Sequence, residues 1–295
     1  MDRRHPLLRR LWRHRAQYLA IAPFYLWFLA FGLYPLLYSL ALSLHSWTGF
    51  GPWSYVGLRN YLALLSDDVF WRSLANSLYF FVFMVPLLTV GALALAILLN
   101  AGVVRGRGPL RTVFFLPHIT STIIVSILFL SLLDDKYGWL NAGLQALGAG
   151  AIPWLHSKDW SKVSVMLLLV WRNIGYYMII MLAGLQSIER ELYEAASIDG
   201  ATALRSHLHI TVPLMRPMLL FVVIVTTMMI LNMFEVPFML TKGGPEWSST
   251  TLTLTLFNYA FQYRRYGDAS ALAFVISGLI LAITMAQLRF LRSRD

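Results

Sequence analysis

Six apolar runs separated by short polar segments organise this chain. A membrane-crossing helix needs about 20 predominantly apolar residues, and the runs at 18–42, 78–99, 112–133, 163–185, 218–240 and 269–290 each meet that length. They are continuous rather than alternating, so they predict helices and not the alternating strands of a barrel. No soluble domain, low-complexity linker or internal repeat interrupts them. The pattern predicts an all-α membrane protein in which residues 18–295 form one transmembrane domain behind a basic segment, 1–17.

Composition supports a lipid environment. Of the 295 residues, 58% are hydrophobic and 13% charged, and the mean hydropathy is +0.63, more apolar surface than one water-soluble core absorbs. The formal charge of +10 raises the possibility of nucleic acid. The arginines, however, stand at the ends of apolar runs rather than on a face interleaved with aromatics, so membrane topology accounts for them and no nucleic acid is expected. The absence of cysteine excludes disulfides, thiolate metal sites and cysteine nucleophiles. Ten tryptophans and fourteen tyrosines suit interfacial belts.

The opening "MDRRHPLLRRLWRHR" carries six arginines and resembles the charged start of a signal sequence. The apolar run behind it continues for about 25 residues, beyond the 7 to 15 of a cleavable segment, so it is read as a retained first helix, with cleavage near Ala41 as the alternative. Alternate connections divide the basic residues unequally. Fifteen of the 24 Lys and Arg fall on the side of the termini, eight on the other and one, Arg172, inside a span. Both termini are therefore expected to be cytoplasmic.

Between spans four and five lies "QSIERELYEAASIDGATALRSHLHITVPLMRP", longer than a connection requires. Ser187 is positioned to cap a helix whose first turn holds Glu189 and Glu191. That helix is expected to stop at Asp199-Gly200, because glycine tolerates the left-handed backbone that closes a helix. A second short helix then carries Leu204 and Leu208 and is expected to end at Pro213. An amphipathic pair resting on headgroups is one reading. Four clustered acids, Glu189, Glu191, Glu194 and Asp199, weigh against it, since anionic lipid repels them.

These residues carry a resemblance. "EAASIDGATALRSHLHITVPL" resembles the EAA loop of permease subunits in binding-protein-dependent ABC importers, and Glu194, Ala195, Ala196, Asp199, Gly200, Ala201 and Pro213 fit its pattern. His207 stands where that family usually has Phe, and Leu204 where Trp is common. "VGLRNYLALLSDDVFWRSLANSL", "YGWLNAGL", "MLAGLQSIERELYEAA", "FEVPFMLTKGGPEWSSTTL" and "YGDASALA" extend the resemblance, in order, to the carbohydrate-importing branch that includes maltose and glycerol-3-phosphate permeases. The resemblance implies the type I importer permease fold: six transmembrane helices, with a cytoplasmic coupling helix between the fourth and fifth, at about 187–213. It further implies a bacterial or archaeal inner-membrane location, a second permease subunit, two ATPase subunits and an extracytoplasmic solute-binding protein. That binding protein is expected to meet residues 45–74, 134–160 and 241–267, where Gly243, Gly244 and Pro245 set an ordered turn. No G-x-x-x-x-G-K-[ST] occurs in the chain. ATP and Mg are accordingly expected on the partner ATPase subunits, with no cofactor bound by this chain, and Glu194 through Pro213, His207 included, would couple to them.

Polar groups inside spans are costly and therefore informative. His118, Arg172, Asn173, Asn232 and Glu235 are such groups. Asn232 and Glu235, three apart, share one face of a continuous helix, and amides and carboxylates beside aromatics such as Phe234 and Phe238 suit sugar hydroxyls. An interfacial Glu235, an Arg172 near a helix end and a His118 satisfied within the bundle are the structural alternatives. Methionines 228, 229 and 233 are expected to pack. An ion-coupled transporter would show interrupted helices, which the sequence does not display. No HExxH or GxSxG points to an intramembrane enzyme, and a channel gives no reason for the EAA loop.

Overall fold

The computed structural model describes residues 14–101 and 106–291. In chain order the helices are α1 (Arg15–Ser43), α2 (Arg59–Leu65), α3 (Asp68–Asn100), α4 (Arg107–Ile119), α5 (Thr122–Leu132), α6 (Trp139–Ala146), α7 (Lys158–Gln186), α8 (Arg190–Ile198), α9 (Ala203–Leu214), α10 (Arg216–Leu231), α11 (Glu235–Leu240), α12 (Leu252–Phe257) and α13 (Tyr266–Leu291). A small antiparallel hairpin pairs β1 (His45–Ser46) with β2 (Ser54–Tyr55). Among the described residues four helices, α1, α3, α7 and α13, are long and apolar enough to cross a membrane, and up to six spans result if each bent helix pair counts as one.

The bent pairs correct the expectation of uninterrupted runs. The run at 112–133 splits into α4 and α5, which meet at 98°. Pro117 removes one ladder donor, and Thr120 and Ser121 take extended backbone, so the helix cannot pass through them. The run at 218–240 stops at Leu231 and restarts at Glu235. There the Asn232 side-chain amide shares the Met228 carbonyl with its own backbone N–H, at 2.9 and 3.1 Å, and Pro237 has no N–H for the Met233 carbonyl, which accepts from the Thr251 hydroxyl instead. A third bend, 73° between α9 and α10, falls at Met215 rather than at Pro213. Pro217 lacks the N–H that would bond the carbonyl four residues back, and near the start of α10 that loss costs nothing.

The core is the long pair α3 and α7. Phe80, Met84 and Leu88 on α3 and Leu168, Met178 and Met181 on α7 are fully buried, and α10 packs on α3. Lipid tails are as apolar as these side chains, so close packing rather than exclusion from water holds the helices together. The closest approach is at Gly175, where a Cβ would lie 1.8 Å from the Phe114 carbonyl oxygen of α4. A second cluster joins α2, α12 and α13 through Leu64, Leu252 and Leu272. Helix α1 reaches the bundle only with its second half, 34–43, which packs on α13; over Arg15–Leu33 no residue is buried.

At the end of the bundle where α3 and α7 begin, polar side chains fix the connections. Asn141 is buried, accepts hydrogen bonds from the Ile152 amide and the Trp154 indole, each at 3.0 Å, and so gathers residues 135–154 around one amide. Asn76 donates to the carbonyls of Trp247 and Thr250, and Thr251 to that of Met233. Asp67 caps α3 and accepts a hydrogen bond from the Tyr259 hydroxyl, with Arg265 over the Tyr259 ring at 5.0 Å. Part of the 241–267 segment expected to meet a binding protein is therefore interior: Leu252, Leu254 and Thr255 are buried and belong to the fold.

Candidate transport pathway and coupling hairpin

The two breaks in the long apolar runs face each other across a cavity of about 430 Å³. The α4–α5 break brings Thr122; α7 brings Arg172 and Asn173; the α10–α11 break brings Asn232, Phe234 and Glu235; α12 and the π-helical turn after it bring Phe257 and Phe261. Asn232 and Glu235 do not share a helical face, because the helix is broken between them. The break itself turns both toward the cavity, where both are exposed.

Arg172 donates to the Thr120 carbonyl at 3.3 Å, while its Nε is buried without a hydrogen-bond partner. Asn173, 1% exposed, donates to the Leu169 carbonyl and bonds the His118 ring through Oδ1 at 3.3 Å. His118 also stacks on Tyr176, with ring centroids 4.2 Å apart and planes 8° from parallel. His118 is thus a satisfied bundle residue that orients Asn173. No partner for the Glu235 carboxylate is found among the described residues. Phe238 does not line the cavity; it stacks behind Phe234 at 5.2 Å and meets Phe257 edge-on. Met229 and Met233 line the cavity, whereas Met228 lies on the exterior. Phe257 and Phe261 escaped the sequence reading because they fall in a segment without a long apolar run.

The second site is the pair α8 and α9. Asp199 ends α8, and Gly200 closes the turn at φ +76° with nothing within 4 Å of where a Cβ would stand. Ser187 does not cap α8; its hydroxyl donates to the Gly184 carbonyl at 2.7 Å and closes α7, while Glu189 occupies the N-cap of α8. Thr202 caps α9. Glu194, Ala195, Asp199 and Pro213 are exposed, Ala196 and Ala201 half-buried. Neither the Glu194 nor the Asp199 carboxylate hydrogen-bonds another described residue. Beside them Ile198 is 87% exposed and Leu204 70%.

His207 has a different place. It is half-buried, and its Nδ1 lies 3.0 Å from Oγ1 of Thr211, a fully buried residue whose Oγ1 is also bonded by the Tyr193 hydroxyl at 2.7 Å. The three side chains span from α8 to α9 across a π-helical turn, His207–Thr211. A histidine in place of phenylalanine thus serves an internal hydrogen-bond chain.

Residues 60–294 match the family described as binding-protein-dependent transport system inner membrane component. This chain belongs to that family. The permease is 36% identical over 282 residues to the lactose transport system permease protein LacF of Rhizobium radiobacter, covering 94% of each chain. It is 34% identical to the trehalose/maltose transport system permease protein MalF of Thermococcus litoralis, again over 94% of both. Among solved structures it resembles a bacterial ABC transporter involved in the import of the acidic polysaccharide alginate, with a TM-score of 0.82, 25% identity and coverage of 98% of this chain and 99% of that one. The permease is therefore a multi-pass membrane protein of mostly helical fold, with the architecture of ABC importer permeases.

Proposed function

We propose that this permease is the transmembrane subunit of an ATP-driven importer for a sugar or sugar-like solute, a polyol or glycerol phosphate included. An extracytoplasmic binding protein delivers the solute. The observation that carries this reading is the juxtaposition of two features in one fold: a cavity with amide, carboxylate and aromatic walls between helix breaks, and an exposed hairpin with unpaired carboxylates and bare apolar side chains. The first suits polyhydroxyl recognition. The second suits a protein socket.

In this mechanism α8, Gly200 and α9 form the coupling unit on the cytoplasmic side, where both termini also lie. Ile198 and Leu204 fill an apolar cleft of an ATPase subunit, and Glu194 and Asp199 meet its basic or amide donors. A Cβ-free turn at Gly200 allows close backbone approach. ATP and Mg bind the two ATPase subunits, which do the hydrolysis. Their closure moves the hairpin, α10 follows across the Met215 bend, and the cavity wall formed by Asn232, Phe234 and Glu235 is displaced. A second permease subunit completes the pathway, and the six-span count follows from taking each bent pair as one crossing. Relatives named for lactose and for trehalose/maltose transport support the carbohydrate class.

Broken helices also occur in ion-coupled transporters, so energy source is the discriminating property. Reconstitution of the permease with its co-purifying subunits is expected to give uptake that requires ATP and the binding protein. Uptake driven by an ion gradient alone overturns the proposal.

A further inference from the structure

The polar side chains of the pathway cavity are unequal in what they leave open to a solute. Each donor-bearing side chain there except Thr122 already gives a hydrogen bond to a backbone carbonyl: Asn173 to Leu169, Asn232 to Met228, Thr253 to Leu231 and Arg172 to Thr120. The acceptors are uncommitted. Oδ1 of Asn232 and the carboxylate oxygens of Glu235 have no partner among the described residues, and both side chains are exposed on the cavity wall. A carboxylate only accepts, and the Thr122 hydroxyl serves either way. Among the described residues lining the cavity, Arg172 and Glu235 are the charged ones, and their charges sum to zero. An uncharged solute therefore leaves the cavity neutral. An anionic solute adds a charge that no group there offsets, and an uncompensated charge at membrane depth is costly. The aromatic wall acts in the same direction, because the faces of Phe234, Phe257 and Phe261 are electron-rich and suit the C–H face of a sugar ring rather than an anion.

We propose that Glu235 sets the charge selectivity of transport: the pathway accepts uncharged solutes that donate from hydroxyl groups, sugars and polyols, and rejects anionic ones such as sugar acids and sugar phosphates. This rests on the transport function proposed above and narrows its solute class, setting glycerol phosphate aside. Two neighbouring hydroxyls of one solute can donate to the two oxygens of the Glu235 carboxylate, and Oδ1 of Asn232 accepts from a third. Arg172, held at the wall by the Thr120 carbonyl, supplies the balancing charge. Glu235→Gln leaves that charge without its counterpart, so an anion becomes the solute that restores neutrality.

The test uses the importer complex in phosphatidylcholine nanodiscs without the binding protein, so that the pathway alone selects. Saturation-transfer NMR compares matched pairs, glucose with glucuronate, lactose with lactobionate and glycerol with glycerol 3-phosphate, on wild type, Glu235→Gln and Glu235→Asp. Because the Glu235 side chain is exposed and unpartnered, both variants are expected to fold. Wild type is expected to favour the uncharged member of at least one pair by about tenfold, a difference of 1.4 kcal/mol. Glu235→Gln is expected to lose or invert that ratio, and Glu235→Asp, which keeps the charge, to retain it. A merely structural role would weaken both members of a pair together and leave their ratio alone. Wild-type ratios near one in every pair, or a ratio that Glu235→Gln leaves unchanged, overturn the proposal. ATP-dependent uptake of an anionic solute by wild type also overturns it and leaves the importer intact, whereas uptake driven by an ion gradient alone is failure of the transport function itself.

Discussion

The hydroxyl of Tyr193 lies 2.7 Å from Oγ1 of Thr211, at the open end of the hairpin whose closed end is Gly200. With His207 on the same Oγ1, the two arms are pinned opposite the turn. Thr211→Val leaves both partners without their bond, a cost of roughly 1–3 kcal/mol for a buried group. Solute carried per ATP hydrolysed is expected to fall in Thr211→Val and to be retained in Thr211→Ser. Wild-type stoichiometry in the valine variant would remove the pin from the mechanism.

The pathway cavity predicts a separation between folding and transport. Glu235 is exposed and unpaired, and Phe257 contributes an aromatic wall among Phe234, Phe238 and Phe261. Glu235→Gln and Phe257→Ala are each expected to lower uptake by roughly tenfold, about 1.4 kcal/mol of lost contact, while ATPase subunits still co-purify. Uptake assays on proteoliposomes of matched subunit content measure this.

Gly175 tests the packing argument. Its backbone meets α4 so closely that a methyl group cannot enter without moving the Phe114 carbonyl. Gly175→Ala is expected to destabilise the detergent-solubilised permease by roughly 1–3 kcal/mol, the usual cost of overpacking, seen as a lower melting temperature. Gly200→Ala lacks any such clash and carries only backbone strain.

The Tyr259 phenol is pushed up by burial and by its hydrogen bond to Asp67. A group whose folded pKa is raised contributes its stabilisation fully below the unfolded value, about 10 for tyrosine, and loses it only as pH climbs through the higher folded value. Tyr259→Phe is expected to cost roughly 1.5–3 kcal/mol, as for a hydrogen bond to a charged group. Melting measured from pH 6 to about 9 should show the same deficit throughout.

The apolar runs gave away where the long apolar helices lie and in what order, because a bilayer demands length and little else. Breaks within those runs were less visible. Asn232 sits in a run apolar enough to read as continuous, and the helix ladder lapses after it because Pro237 has no N–H for the Met233 carbonyl, which the Thr251 hydroxyl takes instead, a tertiary contact that hydropathy does not register. The glycine turn at 200 was legible, since positive φ favours one residue type. Ser187 misled because a serine between two helices satisfies either end. His207 was recognised as a departure, but its purpose depends on Thr211 and Tyr193 arriving from neighbouring turns, which no local spacing announces. Phe257 and Phe261 entered the cavity by tertiary folding alone.

The central claim, that the hairpin around Gly200 couples this permease to ATPase subunits, is tested most directly by co-purification of those subunits with Gly200→Trp and Glu194→Lys. Both positions point into open space, so the permease itself should insert and fold, the tryptophan adding roughly 1–2 kcal/mol of backbone strain at φ +76°. The account predicts loss of ATPase association and of transport in both variants. Stoichiometric ATPase subunits and full uptake in both would contradict it.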